Sequence, residues 1–166
     1  SSACTDCPEG KYQGSAGETS CSTCAAGTFT DAKPQCTTCP PGKYQGQDGQ
    51  LACNVATSCP AGRYVEVQHN ATSDATCYDC TLGRYQPASD ATSCIACSAG
   101  RHRPAQISAA NDEANACPLC AAGQYQEFTG QAACTRCPPG QVQAERGQTS
   151  CDSCAAGGYS EGTGQT

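Results

Sequence analysis

The chemistry in this sequence resides in its cysteines. There are 18 in 166 residues, and they stand in nine doublets. Eight are Cys-x-x-Cys: Cys4 and Cys7, Cys21 and Cys24, Cys36 and Cys39, Cys77 and Cys80, Cys94 and Cys97, Cys117 and Cys120, Cys134 and Cys137, Cys151 and Cys154. The other, Cys53 and Cys59, is stretched to five intervening residues. Thiols so spaced can close disulfides, hold a tetrahedral metal or shuttle electrons. One four-cysteine stretch taken alone has good spacing for a Cys4 zinc site. Tandem repetition, the net charge of -6 and the sequon described below favour disulfides over zinc. A redox-active dithiol would be one special site on a βαβ scaffold, whereas here the motif recurs at every node.

No other catalytic or cofactor constellation is present. His69 and His102 stand isolated in loops, where ligand or base roles are not expected. Asp74 and Asp112-Glu113 lack the ligand spacing of an EF-hand. No nucleophile, base and orienting group recur together, and no phosphate-cradling glycine loop occurs. The expectation is a chain that is not an enzyme and binds no cofactor or metal. Asn70-Ala71-Thr72 is an N-glycosylation sequon, with Asn70 as the expected glycan site. Asn115-Ala116-Cys117 is a weaker sequon whose cysteine is expected to be bonded.

Something must position these cysteines, and a hydrophobic core cannot. The large aliphatic and Phe side chains are only Leu51, Leu82, Leu119, Ile95, Ile107, Val55, Val65, Val67, Val142, Phe29 and Phe128. Without its cysteines, so polar a chain would read as disordered. The charge balance is acidic and lacks a basic stripe, which argues against nucleic acid as a partner. No apolar run approaches the roughly 18 residues that span a bilayer. No signal peptide precedes Ser1, as expected of a processed chain or a fragment.

The organising feature is internal repetition. The spans Cys7 to Cys21, Cys39 to Cys53, Cys80 to Cys94 and Cys120 to Cys134 are all 14 positions, and the spans between them are 12, 18, 20 and 14. Fixed spans within units and variable spans between them define four-cysteine modules. The expected boundaries are residues 1–35, 36–76, 77–116 and 117–150, with a truncated fifth module at 151–166. The fixed spans open with Gly10-Lys11-Tyr12-Gln13, Gly42-Lys43-Tyr44-Gln45, Gly83-Arg84-Tyr85-Gln86 and Gly123-Gln124-Tyr125-Gln126. The variable spans keep the glycine in Gly27-Thr28-Phe29, Gly62-Arg63-Tyr64, Gly100-Arg101-His102 and Gly140-Gln141-Val142. The last residues, Gly164-Gln165-Thr166, match those that lead into Cys151, so the chain reads as a segment of a longer array.

Pro and Gly after the second cysteine mark a turn. The residues around Tyr-Gln read as a short strand, and Ser15-Ala16-Gly17, Asp48-Gly49 or Thr129-Gly130 mark the return. Each unit is thus a small hairpin closed by sulfur, with no stretch of helical period. The recurrent Tyr is expected to lie over a disulfide as the nearest thing to a core. The fold class is therefore small disulfide-rich repeats of short β-hairpins and turns, almost without helix, stacked as an elongated rod. Two connectivities fit the spacing. In one, each module pairs first with third and second with fourth, joining Cys4 to Cys21 and Cys7 to Cys24. In the other, neighbours pair as a ladder, joining Cys7 to Cys21 and Cys24 to Cys36 and leaving Cys4 and Cys154 over. The regular module phase favours the first.

The opening Cys-Pro-x-Gly-x-Tyr, best seen in Cys7-Pro8-Glu9-Gly10-Lys11-Tyr12 and Cys39-Pro40-Pro41-Gly42-Lys43-Tyr44, resembles the ephrin-receptor-like cysteine-rich repeat. It is also similar to one half of the tumour necrosis factor receptor cysteine-rich module. The resemblance covers essentially the whole chain and implies an extracellular or cell-surface location. The fillers, rich in Ala, Gly, Gln, Ser and Thr, are similar to those of long algal and protist surface proteins, including flagellar-hair (mastigoneme) proteins. The favoured expectation is a structural segment of an extracellular glycoprotein, a filament or coat component whose partners are neighbouring repeats or copies of itself. The alternative is a receptor or adhesion ectodomain whose loops Cys59 to Cys77 and Cys97 to Cys117 recognise a protein ligand. A Cys4 zinc scaffold is the remote third reading.

Overall fold

The computed structural model describes residues 4–30, 34–104 and 112–166. Ile107, counted among the large apolar residues, and residues 105–111 of the Cys97 to Cys117 loop lie outside that range. Strands are mostly two residues long because no stretch has the apolar alternation to sustain more. Among the described residues they pair as seven separate two-stranded ribbons: β1 (Lys11–Tyr12) with β2 (Ser22–Thr23), β3 (Thr28–Phe29) with β4 (Thr37–Thr38), β5 (Lys43–Tyr44) with β6 (Asn54–Val55), β7 (Arg63–Val67) with β8 (Thr76–Asp79), β9 (Arg84–Tyr85) with β10 (Ile95–Ala96), β11 (Gln124–Tyr125) with β12 (Thr135–Arg136), and β13 (Gln141–Val142) with β14 (Asp152–Ser153). The one helix among the described residues is the single turn α1 (Glu113–Ala116), capped by Asp112, whose side chain accepts from the Asn115 N–H. The chain has the expected class of small disulfide-rich repeats with almost no helix.

Eight disulfides hold these ribbons: Cys7–Cys21, Cys24–Cys36, Cys39–Cys53, Cys59–Cys77, Cys80–Cys94, Cys97–Cys117, Cys120–Cys134 and Cys137–Cys151. This is the ladder, and it corrects the favoured one-to-three pairing. The reason is strand geometry. The x-x of most doublets forms the second strand of a ribbon, as Ser22–Thr23 does between Cys21 and Cys24. Side chains alternate faces along extended backbone, so two cysteines three positions apart point to opposite sides. One bonds back to the preceding doublet and the other forward to the next. Cys4 and Cys154, expected among the bonded cysteines, are free, because the ladder gives Cys4 no preceding doublet and Cys154 no following one within this sequence.

The buried interior is largely sulfur. Cys24, Cys59, Cys97, Cys117, Cys120 and Cys137 are fully buried. The residue after the ring position is also buried in most quartets: Thr30, Gln45, Val65, Gln86, Arg103, Gln126 and Gln143. The tyrosines of the same quartets are only half-buried. Among the described residues, Tyr85 packs against a fully buried cluster formed by Cys97, Ala116 and Cys117.

By contact the chain divides into two compact units, Ser1–Ser58 with Val67–Thr76, and Cys59–Glu66 with Cys77–Thr166. Within each, successive loops are joined by backbone hydrogen bonds. In the first, the Gly27 N–H donates to Gln45 O at 2.7 Å and the Gln45 N–H to Ala71 O at 2.9 Å. In the second, the same step recurs from Gly62 to Gln86, Gly100 to Gln126 and Gly123 to Gln143, at 2.6–2.7 Å. Loops two apart also touch. A Cβ on Gly83, at φ +73°, would sit 1.9 Å from the Gly130 carbonyl oxygen, so only glycine permits this approach. Asp90 takes the turn slot that Gly130 and Gly147 hold in their loops, with φ 57°. Its N–H donates to Cys59 O at 2.8 Å and its Oδ1 accepts from the Cys59 N–H at 2.7 Å, which offsets the left-handed backbone.

Candidate functional site

The buried glutamines work as clamps. In each, Nε2 donates to the carbonyl seven residues on and Oε1 accepts from the N–H two residues on. Gln45 bonds Ala52 O at 2.9 Å and the Gln47 N–H at 3.1 Å. Gln86 bonds Ser93 O at 2.6 Å and the Ala88 N–H at 2.9 Å. Gln126 bonds Ala133 O at 2.8 Å and the Phe128 N–H at 3.1 Å. The amide supplies one donor and one acceptor to the two limbs of a loop that has no sheet to satisfy them. Sequence reasoning saw this residue but gave the core role to its tyrosine neighbour. The signal was available in the fixed eight-residue distance from Gln to the next cysteine.

The longest ribbon, β7 with β8, exposes the richest recognition chemistry. Arg63 Nε donates to Asp79 Oδ1 at 2.7 Å, with the two side chains 47% and 76% exposed. The rings of Tyr64 and Tyr78 pair with centroids 6.1 Å apart, and Tyr78 is exposed. Neighbours along a strand face opposite sides, so the Arg63–Asp79 pair and the Tyr64–Tyr78 pair stand on different faces of the ribbon, and Arg63 and Tyr78 are residue types that dominate protein interfaces. The ion pair itself, open to water, adds little to stability.

Asn70 is exposed, at the tip of the same Cys59 to Cys77 loop. Its Oδ1 accepts from the Thr72 N–H at 2.8 Å, from Thr72 Oγ1 at 2.8 Å and from the Ser73 N–H at 2.9 Å. It borders a small cleft with His69, Ala71, Pro40, Pro41 and Lys43. Asp74 ties the stretched Cys53–Cys59 doublet to this loop. Thr57 donates through its N–H and its hydroxyl to the two carboxylate oxygens, both at 2.7 Å, and these bonds lower the Asp74 pKa.

Asp112 and Glu113, set aside as calcium ligands, have structural partners. Glu113 accepts from the Ser98 N–H at 2.7 Å. The Ser98 hydroxyl, that N–H and the Arg101 charge lower its pKa. Burial, followed by the charges of Glu113 and Asp112, raises the Tyr85 pKa. His102, read from sequence as isolated, is brought against sulfur: its Nδ1 lies 3.1 Å from Cys134 Sγ. His69 remains in the cleft beside Asn70, about thirty residues away in sequence.

The model for the family described as tyrosine-protein kinase ephrin type A/B receptor-like matches residues 1–34, 68–113 and 108–154, together more than half of the chain. The chain belongs to the ephrin-receptor-like cysteine-rich family. The TNFR/NGFR cysteine-rich region matches residues 39–77, most of which lies between the stretches matched by the first model, and this is the second resemblance read from the sequence. Both models describe receptor cysteine-rich regions. Comparison with curated proteins finds no match. Among solved structures, a chain of the human RANKL/OPG complex is 21% identical over 88% of this chain and 84% of that chain, with a TM-score of 0.33. So low a score carries no argument about ligand or partner.

Proposed function

We propose that this chain is a protein-binding segment of an extracellular ectodomain, without enzymatic activity, and that the Cys59 to Cys77 loop leads recognition. The observation that carries this reading is the exposure, on one ribbon, of Tyr78, which pairs with the half-buried Tyr64, and of Arg63, which pairs with Asp79. Membership of a receptor cysteine-rich family supports it, as do eight disulfides suited to an oxidising compartment. With the bonds closed, the cysteines of a Cys4 zinc scaffold are already engaged. Asn70 carries an N-glycan in this reading. No helix among the described residues is long and apolar enough to cross a membrane.

The test is a binding screen of the glycosylated chain against an array of extracellular protein domains. The same screen is run with Tyr78→Ala and with Arg63→Ala. The reading expects a partner whose affinity falls at least about tenfold in each variant, with the disulfide map unchanged. A partner indifferent to both variants refutes the assignment of the surface. Concentration-dependent association of the chain with itself, and with nothing else on the array, would instead favour a filament or coat component.

A further inference from the structure

With Gly157-Gly158-Tyr159 of the last module included, the third residue is a ring in eight of nine quartets, Val142 being the exception, and in the sixth quartet that ring is His102. At the preceding quartet, Tyr85 packs against Cys97 and Cys117, which form the disulfide of the next loop. His102 follows the same rule and reaches the next disulfide, Cys120–Cys134, with Nδ1 3.1 Å from Cys134 Sγ. The substitution of a histidine for a tyrosine thus converts an apolar cover into a metal-ligating nitrogen at contact distance from sulfur. The three ligand atoms of His102, Cys120 and Cys134 lie within 4.8 Å of one another, the one such group among the described residues.

We propose that Cys120, Cys134 and His102 form a redox-gated site for a soft divalent metal such as Zn²⁺. As a disulfide the site is closed. Reduction breaks the one sulfur–sulfur bond and adds two electrons and two protons to give two thiols; two external thiols supply them and leave as their own disulfide, or a phosphine supplies the electrons and water the protons, leaving phosphine oxide. Metal binding then displaces both protons and forms two metal–thiolate bonds and one bond to imidazole.

The frame suits this. Zinc takes sulfur at about 2.3 Å and imidazole nitrogen at about 2.0–2.1 Å, which puts neighbouring ligand atoms a little under 4 Å apart, within the spread already present. The Cα atoms of Cys120 and Cys134 are 5.7 Å apart, so opening the bond needs side-chain rotation alone. The histidine is pinned by backbone rather than by the sulfur it faces. The His102 N–H donates to Pro118 O at 3.1 Å, the Cys120 N–H to Gly100 O at 2.9 Å and the Arg103 N–H to Gln131 O at 3.0 Å, while Arg101 bridges to Leu119. These contacts hold the three ligands together after the disulfide opens. Cys120 is fully buried while Cys134 and His102 are half-buried, so a metal there has protein on one side and a fourth position toward solvent, the arrangement of an open zinc site.

The test uses the native chain with Cys4 and Cys154 capped by alkylation. One equivalent of a phosphine reductant is added with or without one equivalent of Zn²⁺, and the thiols are then trapped and mapped by peptide mass. With Zn²⁺ the retained thiols are expected at Cys120 and Cys134, shielded from alkylation until a chelator is added, with one zinc per opened chain. His102→Tyr, which restores the residue of the sister quartets and so preserves packing, should weaken zinc binding at least about tenfold. Co²⁺ in place of Zn²⁺ should show a thiolate-to-metal charge-transfer band that the variant lacks at equal metal. The proposal is overturned if Zn²⁺ does not change which bond stays open, or if His102→Tyr binds zinc as tightly as the native chain.

Discussion

Replacing Gly83 by alanine tests whether loops two apart are held by backbone contact or only by their disulfides. The new Cβ would fall 1.9 Å from the Gly130 oxygen and 2.3 Å from its carbonyl carbon. Real Cβ atoms stay about 1 Å farther away, so the two loops must part by that much. Parting them stretches the Gly130 N–H to Cys97 O bond, now 2.8 Å, and the Gly83 N–H to Arg103 O bond, now 3.2 Å, beyond hydrogen-bonding range. Two such bonds are worth about 1 kcal/mol each, and alanine at positive φ adds about 1 kcal/mol. The expected local cost is about 3 kcal/mol. Gly140→Ala is the matched control. Its φ of +82° carries the same backbone strain, but nothing lies within 4 Å of its Cβ, so its cost should be about 1 kcal/mol. The difference of about 2 kcal/mol corresponds to roughly 30-fold in local opening. Amide hydrogen exchange with the disulfides intact reads this directly, because stability in a repeat array is local. The Gly130 amide in Gly83→Ala should exchange roughly 30-fold more than the Cys154 amide, which donates to Gly140 O, does in Gly140→Ala, each relative to native. Equal acceleration in the two variants would refute the stacking argument and leave sulfur as the sole tie between loops.

Non-reducing peptide mapping should recover only neighbour-to-neighbour pairs, with Cys4 and Cys154 alkylated before any reductant; a Cys4–Cys21 or Cys7–Cys24 peptide would contradict the ladder. Gln126→Leu keeps the volume but leaves Ala133 O and the Phe128 N–H without their partner, so exchange around that loop should report a loss of about 1–3 kcal/mol. No change there would show that water replaces the clamp. Glu113 titrates below the usual carboxylate range because it accepts from Ser98. Its stabilising contribution is therefore complete above the ordinary glutamate pKa and is lost as pH falls through the lower folded value. The Ser98 amide shift should follow that acid titration in the native chain and stay flat in Glu113→Gln.

The sequence by itself determined the class of this molecule. Too few large apolar residues and a cysteine doublet at every node leave sulfur as the only available interior, and the Gly-x-Tyr-Gln phase fixes where each hairpin starts. Those are local facts, set by composition and by turn chemistry, and the family resemblance rests on the same residues. What the sequence left open depends on direction in space. Two cysteines three apart can serve either pairing until extended backbone turns them to opposite faces, and that turned the favoured module pairing into the ladder. Tyr and Gln adjoin in every full quartet, and only the path of the returning limb buries the Gln amide and leaves the Tyr ring half-exposed. His102 is alone in its stretch of chain and meets Cys134 only because its loop, like that of Tyr85, lays the ring position on the disulfide of the next. Arg63 and Asp79 pair, and Tyr64 meets Tyr78, because β7 and β8 fold against each other as one ribbon. Contacts between loops follow from the stacking of backbone on backbone, which spacing along the chain does not encode.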